Sequence, residues 1–111
     1  MQDMPGPFFA KSVSTSDQVR LKLGGECDAA TLEQLNDALR EAIAQQRNEV
    51  VVDLGEVTFI DSLSLAALTI AAKQVRGSGR SFSVTRATMP DVRRAFEITG
   101  LATYLLISTQ N

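Results

Sequence analysis

Histidine is absent from this chain of 111 residues. That removes the usual general base of a serine hydrolase, the imidazole ligands of most zinc sites and the commonest proton carrier near neutral pH. Cys27 is the only cysteine, so no intramolecular disulfide is possible and the count does not point to an oxidising compartment. Glu26 and Asp28 flank it with negative charge, which disfavours the thiolate, so an inert, part-buried strand-end residue is expected. No run of about 18 apolar residues is present to span a bilayer, and the N-terminus lacks the basic-then-apolar layout of a secretory signal. A cytoplasmic protein is the expectation. The 11 Lys and Arg residues are scattered and are outnumbered by 13 Asp and Glu, for a net charge of −2, which argues against binding nucleic acid through its phosphates. No glycine-rich phosphate loop opens a helix either, because Gly77-Ser78-Gly79 follows one.

What the chain does have is enough apolar residues, 44% of the total, for one compact core, and its length fits a single domain. Residues 1–7, with two prolines and a glycine, are expected to form a flexible leader to a domain over 8–111. Phe8–Val13 and Val19–Leu23 read as antiparallel strands joined by a turn at Ser14-Thr15-Ser16-Asp17, with Gly24-Gly25 closing the second. Leu32, Leu35, Leu39 and Ile43 make the stripe of an amphipathic helix from Ala29 to about Gln46, with Asp28 placed to cap it. Val50–Leu54 is apolar on both faces and predicts a central strand, followed by a loop from Gly55. A second helix follows Ser62, on the spacing of Leu65, Leu68, Ala72 and Val75, and stops near Gly77-Ser78-Gly79. Ser81–Thr85 predicts a strand. Pro90 then opens a helix capped by Thr88 or Met89 and ended by Gly100, and Tyr104–Ile107 predicts a last strand.

This order describes an α/β domain with one mixed sheet of about five strands and three to four helices. Strands joined through helices run parallel by right-handed crossovers, and functional groups gather at their carboxyl ends. Asp28 and Asp61-Ser62 are expected together there. Asp61-Ser62 sets a hydroxyl at a helix N-terminus, where orphan N–H groups carry partial positive charge, so Ser62 is either a simple cap or a seat for phosphate. Asp61 caps the helix or helps position the Ser62 hydroxyl and a partner's Mg-bound phosphate, two compatible roles. Leu63 and Leu65 flank the serine; either one is an exposed apolar contact or both point into the core. Catalysis by this loop alone is not expected, because a nucleophilic serine needs an activating base and Lys73 would lie three turns along the helix.

Four segments in order resemble those of STAS domains, the fold of bacterial anti-sigma factor antagonists. They are Gly25-Glu26-Cys27-Asp28, similar to Gly-Glu-Leu-Asp; Val51-Val52-Asp53-Leu54; Phe59-Ile60-Asp61-Ser62, similar to the phosphorylation loop; and Phe96-Glu97-Ile98-Thr99-Gly100-Leu101. The resemblance runs from about Val19 to Ile107. It implies that Ser62 is phosphorylated by a partner that is both an anti-sigma factor and a serine kinase. It also implies a partner surface of Asp28, Asp61, Ser62, Leu63, Ser64 and Leu65, with no metal or cofactor and no catalytic residue. The alternative is a STAS accessory subunit of a membrane lipid or anion transport complex. After the acceptor serine the family pattern has a small residue, then Gly-Leu-Gly; here Leu63-Ser64-Leu65-Ala66 stands instead, so Ser64 adds a Cβ and a hydroxyl where close backbone approach is expected.

Overall fold

The computed structural model describes residues 7–105. Its elements are β1 (Phe9–Ser14), β2 (Gln18–Cys27), α1 (Leu32–Ala44), β3 (Glu49–Ile60), α2 (Ser62–Gly77), β4 (Ser81–Thr85), α3 (Pro90–Thr99) and the single turn α4 (Leu101–Tyr104). The four strands lie in the order β1-β2-β3-β4, the first pair antiparallel and the other two parallel. Both crossovers, β2-α1-β3 and β3-α2-β4, step the same way across the sheet, and right-handed connections then put both helices on one face. There α1 packs against α2 and β2, and α2 against β4.

Strand alternation supplies the core from the sheet side. Val19, Leu21 and Leu23, then Val50, Val52 and Leu54, then Phe82 and Val84 meet Leu35, Leu39, Leu68, Ala72 and Val75 from the helices, with Val92 and Phe96 from α3. Each fully buried Leu, Val or Phe side chain contributes about 1.5–3 kcal/mol relative to exposure. Val51 and Asp53, on the other face of β3, are buried as well, in keeping with a central strand covered on both sides. Both carboxylate oxygens of Asp53 are engaged. Oδ2 accepts from Arg20 Nε at 3.2 Å, while Oδ1 accepts from the Gly55 N–H at 2.8 Å and pairs with Arg86 Nε at 3.3 Å. A buried carboxylate is tolerated because it is partnered in this way. At Gly55 the Arg86 guanidinium lies against the backbone, 2.5 Å from where a Cβ would sit, so a side chain there would have to push the arginine aside.

β3 is longer than the apolar run predicts. It passes through Gly55 and Glu56 to Ile60 instead of looping out, because pairing with β2 resumes after two register shifts. From Lys22–Asp53 to Gly24–Glu56 β2 advances two residues and β3 three; from Gly25–Val57 to Glu26–Phe59 β2 advances one and β3 two. Such bulges absorb extra residues without ending a strand. For the same reason β2 continues past Gly24-Gly25, with Gly25 at φ +82, to Cys27. β4 has the bounds expected, and α3 opens at Pro90 after Met89 and closes at Gly100 with φ 75. At the other end Tyr104 closes α4 instead of starting a strand, and Leu105 is buried behind it; residues 106 and 107 of the expected strand lie outside the described residues. Most of the expected leader also lies outside them.

Candidate functional site

The site grows from the end of the β2–β3 ladder. Cys27 and Ile60 are its last pair, so the residues that follow, Asp28 and Asp61, leave the sheet side by side. The Asp61 N–H donates to the Cys27 carbonyl at 3.0 Å, which fixes the start of α2 against the end of β2. Asp61 is extended, with φ −100 and ψ 177, and its Oδ1 accepts from the Ser64 N–H at 2.8 Å, while its carbonyl takes the first helical bond from Leu65 at 3.0 Å. Asp61 is therefore the cap. Ser62 is the first helical residue; it is exposed, and its hydroxyl makes no hydrogen bond among the described residues. The N–H groups of Ser62 and Leu63 belong to the orphan donors of the first turn, a setting that favours an anion.

Asp28 does not cap α1, as the sequence suggested. Its Oδ1 accepts from the N–H groups of Ala30 at 3.0 Å and Thr31 at 3.2 Å, while its own N–H donates to Thr31 Oγ1 at 3.0 Å. Thr31 Oγ1 also donates to the Glu26 carbonyl at 2.9 Å. These bonds close a turn over residues 28–31, so α1 begins only at Leu32, with Thr31 as cap. Cys27 is wholly buried, deeper than expected, and its thiol is pushed up to about 12, first by desolvation and then by the charges of Asp28 and Asp61. Burial and the two neighbouring carboxylates both disfavour its thiolate, the nucleophilic form.

The residues after Ser62 divide. Leu63 is 54% exposed, whereas Ser64 is 0% exposed and Leu65 is buried in the core. Ser64 and Leu65 thus offer no surface to a partner in the folded domain, contrary to the expectation. The helix phase sets this: Ser64 lies one turn before Leu68, on the stripe that continues through Ala71 and Val75. Ser64 Oγ has no hydrogen-bond partner among the described residues. Stepping that stripe back four residues from Leu68 is the sequence signal that finds it. Phe59, which the sequence reading placed in the loop before Asp61 without a role of its own, is exposed beside Glu26 at the end of the ladder. Among the described residues no group of three His, Cys, Asp or Glu side chains could hold a metal ion, and no helix is long and apolar enough to cross a membrane.

The family model described as Mlab, STAS domain matches residues 11–108. The anti-sigma-F factor antagonist RsfB of Mycobacterium tuberculosis is 32% identical over 90 residues, covering 80% of this chain and 72% of that protein. Among solved structures, an anti-sigma factor antagonist from Mycobacterium paratuberculosis superposes with a TM-score of 0.85 at 24% identity, covering 95% of this chain and 90% of that one. The Bacillus cell fate determinant SpoIIAA in its phosphorylated form superposes with a TM-score of 0.66 at 20% identity, covering 91% of this chain and 90% of that one. At these identities the two structures speak to the fold. The chain belongs to the STAS domain family of anti-sigma factor antagonists. Like those relatives it is a regulatory binding protein, not an enzyme.

Proposed function

We propose that this domain is a phospho-regulated antagonist acting in the cytoplasm: it binds an anti-sigma factor that is also a serine kinase, frees a sigma factor, and is switched off when that partner phosphorylates Ser62 with Mg-ATP. The observation that carries the reading is the Ser62 hydroxyl, exposed on the first residue of α2 and relieved of capping by Asp61. A hydroxyl so placed meets a kinase without unfolding. In this reading Asp61, the neighbouring residue, helps to orient that hydroxyl during transfer. The phosphate would find the orphan N–H groups of the first turn but also the negative charge of Asp61, and these opposed local effects are each on the order of 1 kcal/mol or less, so the fold should survive. Burial of the same phosphate against a partner without a matching cation costs several kcal/mol. Release is then electrostatic exclusion at the interface.

The docking surface in this reading is Asp28, Asp61, Ser62 and Leu63, with Phe59 beside them. Incubation with the partner kinase and Mg-ATP, followed by peptide mass spectrometry, should place phosphate on Ser62; label on Ser64, or none with a verified active kinase, defeats the proposal. If a transporter ATPase binds the same surface with no phosphorylation, the accessory-subunit reading takes its place. In a titration Leu63→Ala should weaken partner binding about tenfold, as loss of an anchoring apolar side chain does, and Glu41→Ala, at the far end of α1, should leave it unchanged.

A further inference from the structure

Among the described residues β1 forms the outer edge of the sheet, paired with β2 on one side, and every one of its residues is exposed. Ala10, Ser12 and Ser14 lie opposite the core residues Leu23, Leu21 and Val19, and the Ser14 hydroxyl donates to Gln45 at the end of α1. Those three residues therefore turn toward the helical face. Phe9, Lys11 and Val13 share the other face, opposite Gly24, Lys22 and Arg20. The Phe9 ring covers Gly24 so closely that a Cβ there would lie 2.1 Å from it. Lys11 stands directly across from Lys22, and like charges in that position destabilise a sheet. Neither lysine has a carboxylate partner among the described residues, since the nearest buried acid on that face, Asp53, is taken by Arg20 and Arg86.

A lysine on an edge strand also serves to discourage aggregation. That role explains Lys11 alone, but it does not explain why a second lysine faces it between two exposed apolar side chains. Pairing β1 with β1 of a second copy, about a two-fold axis perpendicular to the sheet, would crowd Lys11 and Lys22 of both copies onto one face. An incoming carboxylate has the opposite effect. We propose that the free edge of β1 takes an extended segment of a partner protein by strand addition, with an acidic side chain against Lys11 and apolar ones against Phe9 and Val13. Main-chain hydrogen bonds would hold the segment, and the two-residue period fixes its pattern as apolar-x-acidic-x-apolar. The proposal does not rest on the function of Ser62.

The test titrates the isotope-labelled full chain with the blocked peptide Thr-Val-Thr-Glu-Thr-Val-Thr and with its counterpart carrying Lys for Glu, followed by amide NMR. The acidic peptide should shift the amides of β1 and bind about fivefold more tightly than the basic one, the upper range for one cross-strand charge pair. Lys11→Glu should reverse the order of the two peptides; if that variant does not fold, Lys11→Gln should abolish the difference. Equal affinities for the unmodified chain, shifts confined to other elements, or a peptide-free chain that dimerises through β1 would each overturn the proposal, the last by giving the edge to a second copy.

Discussion

Ser62 and Ser64 stand two residues apart on the first turn of α2, and one is exposed with a free hydroxyl while the other is wholly buried with an unpartnered one. The Asp61 cap sets this division, because starting the helix at Ser62 turns Ser64 inward beneath it. A kinase meeting the folded domain is offered one serine of the two.

The buried hydroxyl should be dispensable for the fold. Leaving a polar group unsatisfied costs about 1–3 kcal/mol, so Ser64→Ala, which keeps the Cβ and removes the oxygen, should stabilise the domain by roughly 1 kcal/mol. Thermal melting should then rise by about 4–8 °C. A lower melting temperature would mean that the hydroxyl has a partner, such as a bound water.

Asp61 should matter through its carboxylate oxygen, not its charge. Asp61→Ala removes the bond to the Ser64 N–H and should destabilise the domain by about 1 kcal/mol, whereas Asp61→Asn keeps an acceptor and should cost only a fraction of that. Equal losses in a denaturant titration would show that the charge carries the effect.

Cys27 predicts a pH dependence. The folded thiol is pushed up to about 12 from an ordinary 9.0, so above 9.0 the unfolded chain gives up a proton that the folded chain keeps. The unfolded state then binds fewer protons and stability falls as pH rises; the contribution of Cys27 is intact below 9.0 and is lost progressively toward 12. Denaturant melts between pH 8 and pH 11 should show a shallower decline for Cys27→Ala than for the parent chain. A disulfide exchange reagent at pH 8 should leave the folded thiol unmodified and label it in denaturant. Rapid labelling of the folded chain would contradict its burial.

The helices α1, α2 and α3 and the strand β4 were legible because their signals are local, whereas α4 was not foreseen. Leu65, Leu68, Ala72 and Val75 carry the period of α2, and Pro90 and Gly100 bracket α3. The second half of β3 was not legible, since Gly55-Glu56 looks like a turn and stays in the sheet only through bulged pairing with β2, a contact between segments about thirty residues apart. Asp28 was readable as a residue that organises a helix start, but not that Thr31 would intervene, because the choice depends on the Glu26 carbonyl reaching the Thr31 hydroxyl. Within the site, Asp61 and Ser62 stood out as a pair; which of them caps the helix, and which neighbours it buries, was decided by the bond from Asp61 to Cys27 that joins two strands' ends.

The most direct test measures partner affinity and thermal melting on the same preparations of unmodified, Ser62-phosphorylated and Ser62→Ala domain. The account predicts that phosphorylation lowers affinity by orders of magnitude while the melting temperature moves only a few degrees, and that Ser62→Ala binds and melts like the unmodified domain but accepts no phosphate. A phosphorylated domain that melts far lower or loses its folded spectrum would show that the switch works by unfolding, and unchanged affinity on phosphorylation would show that Ser62 is not the switch.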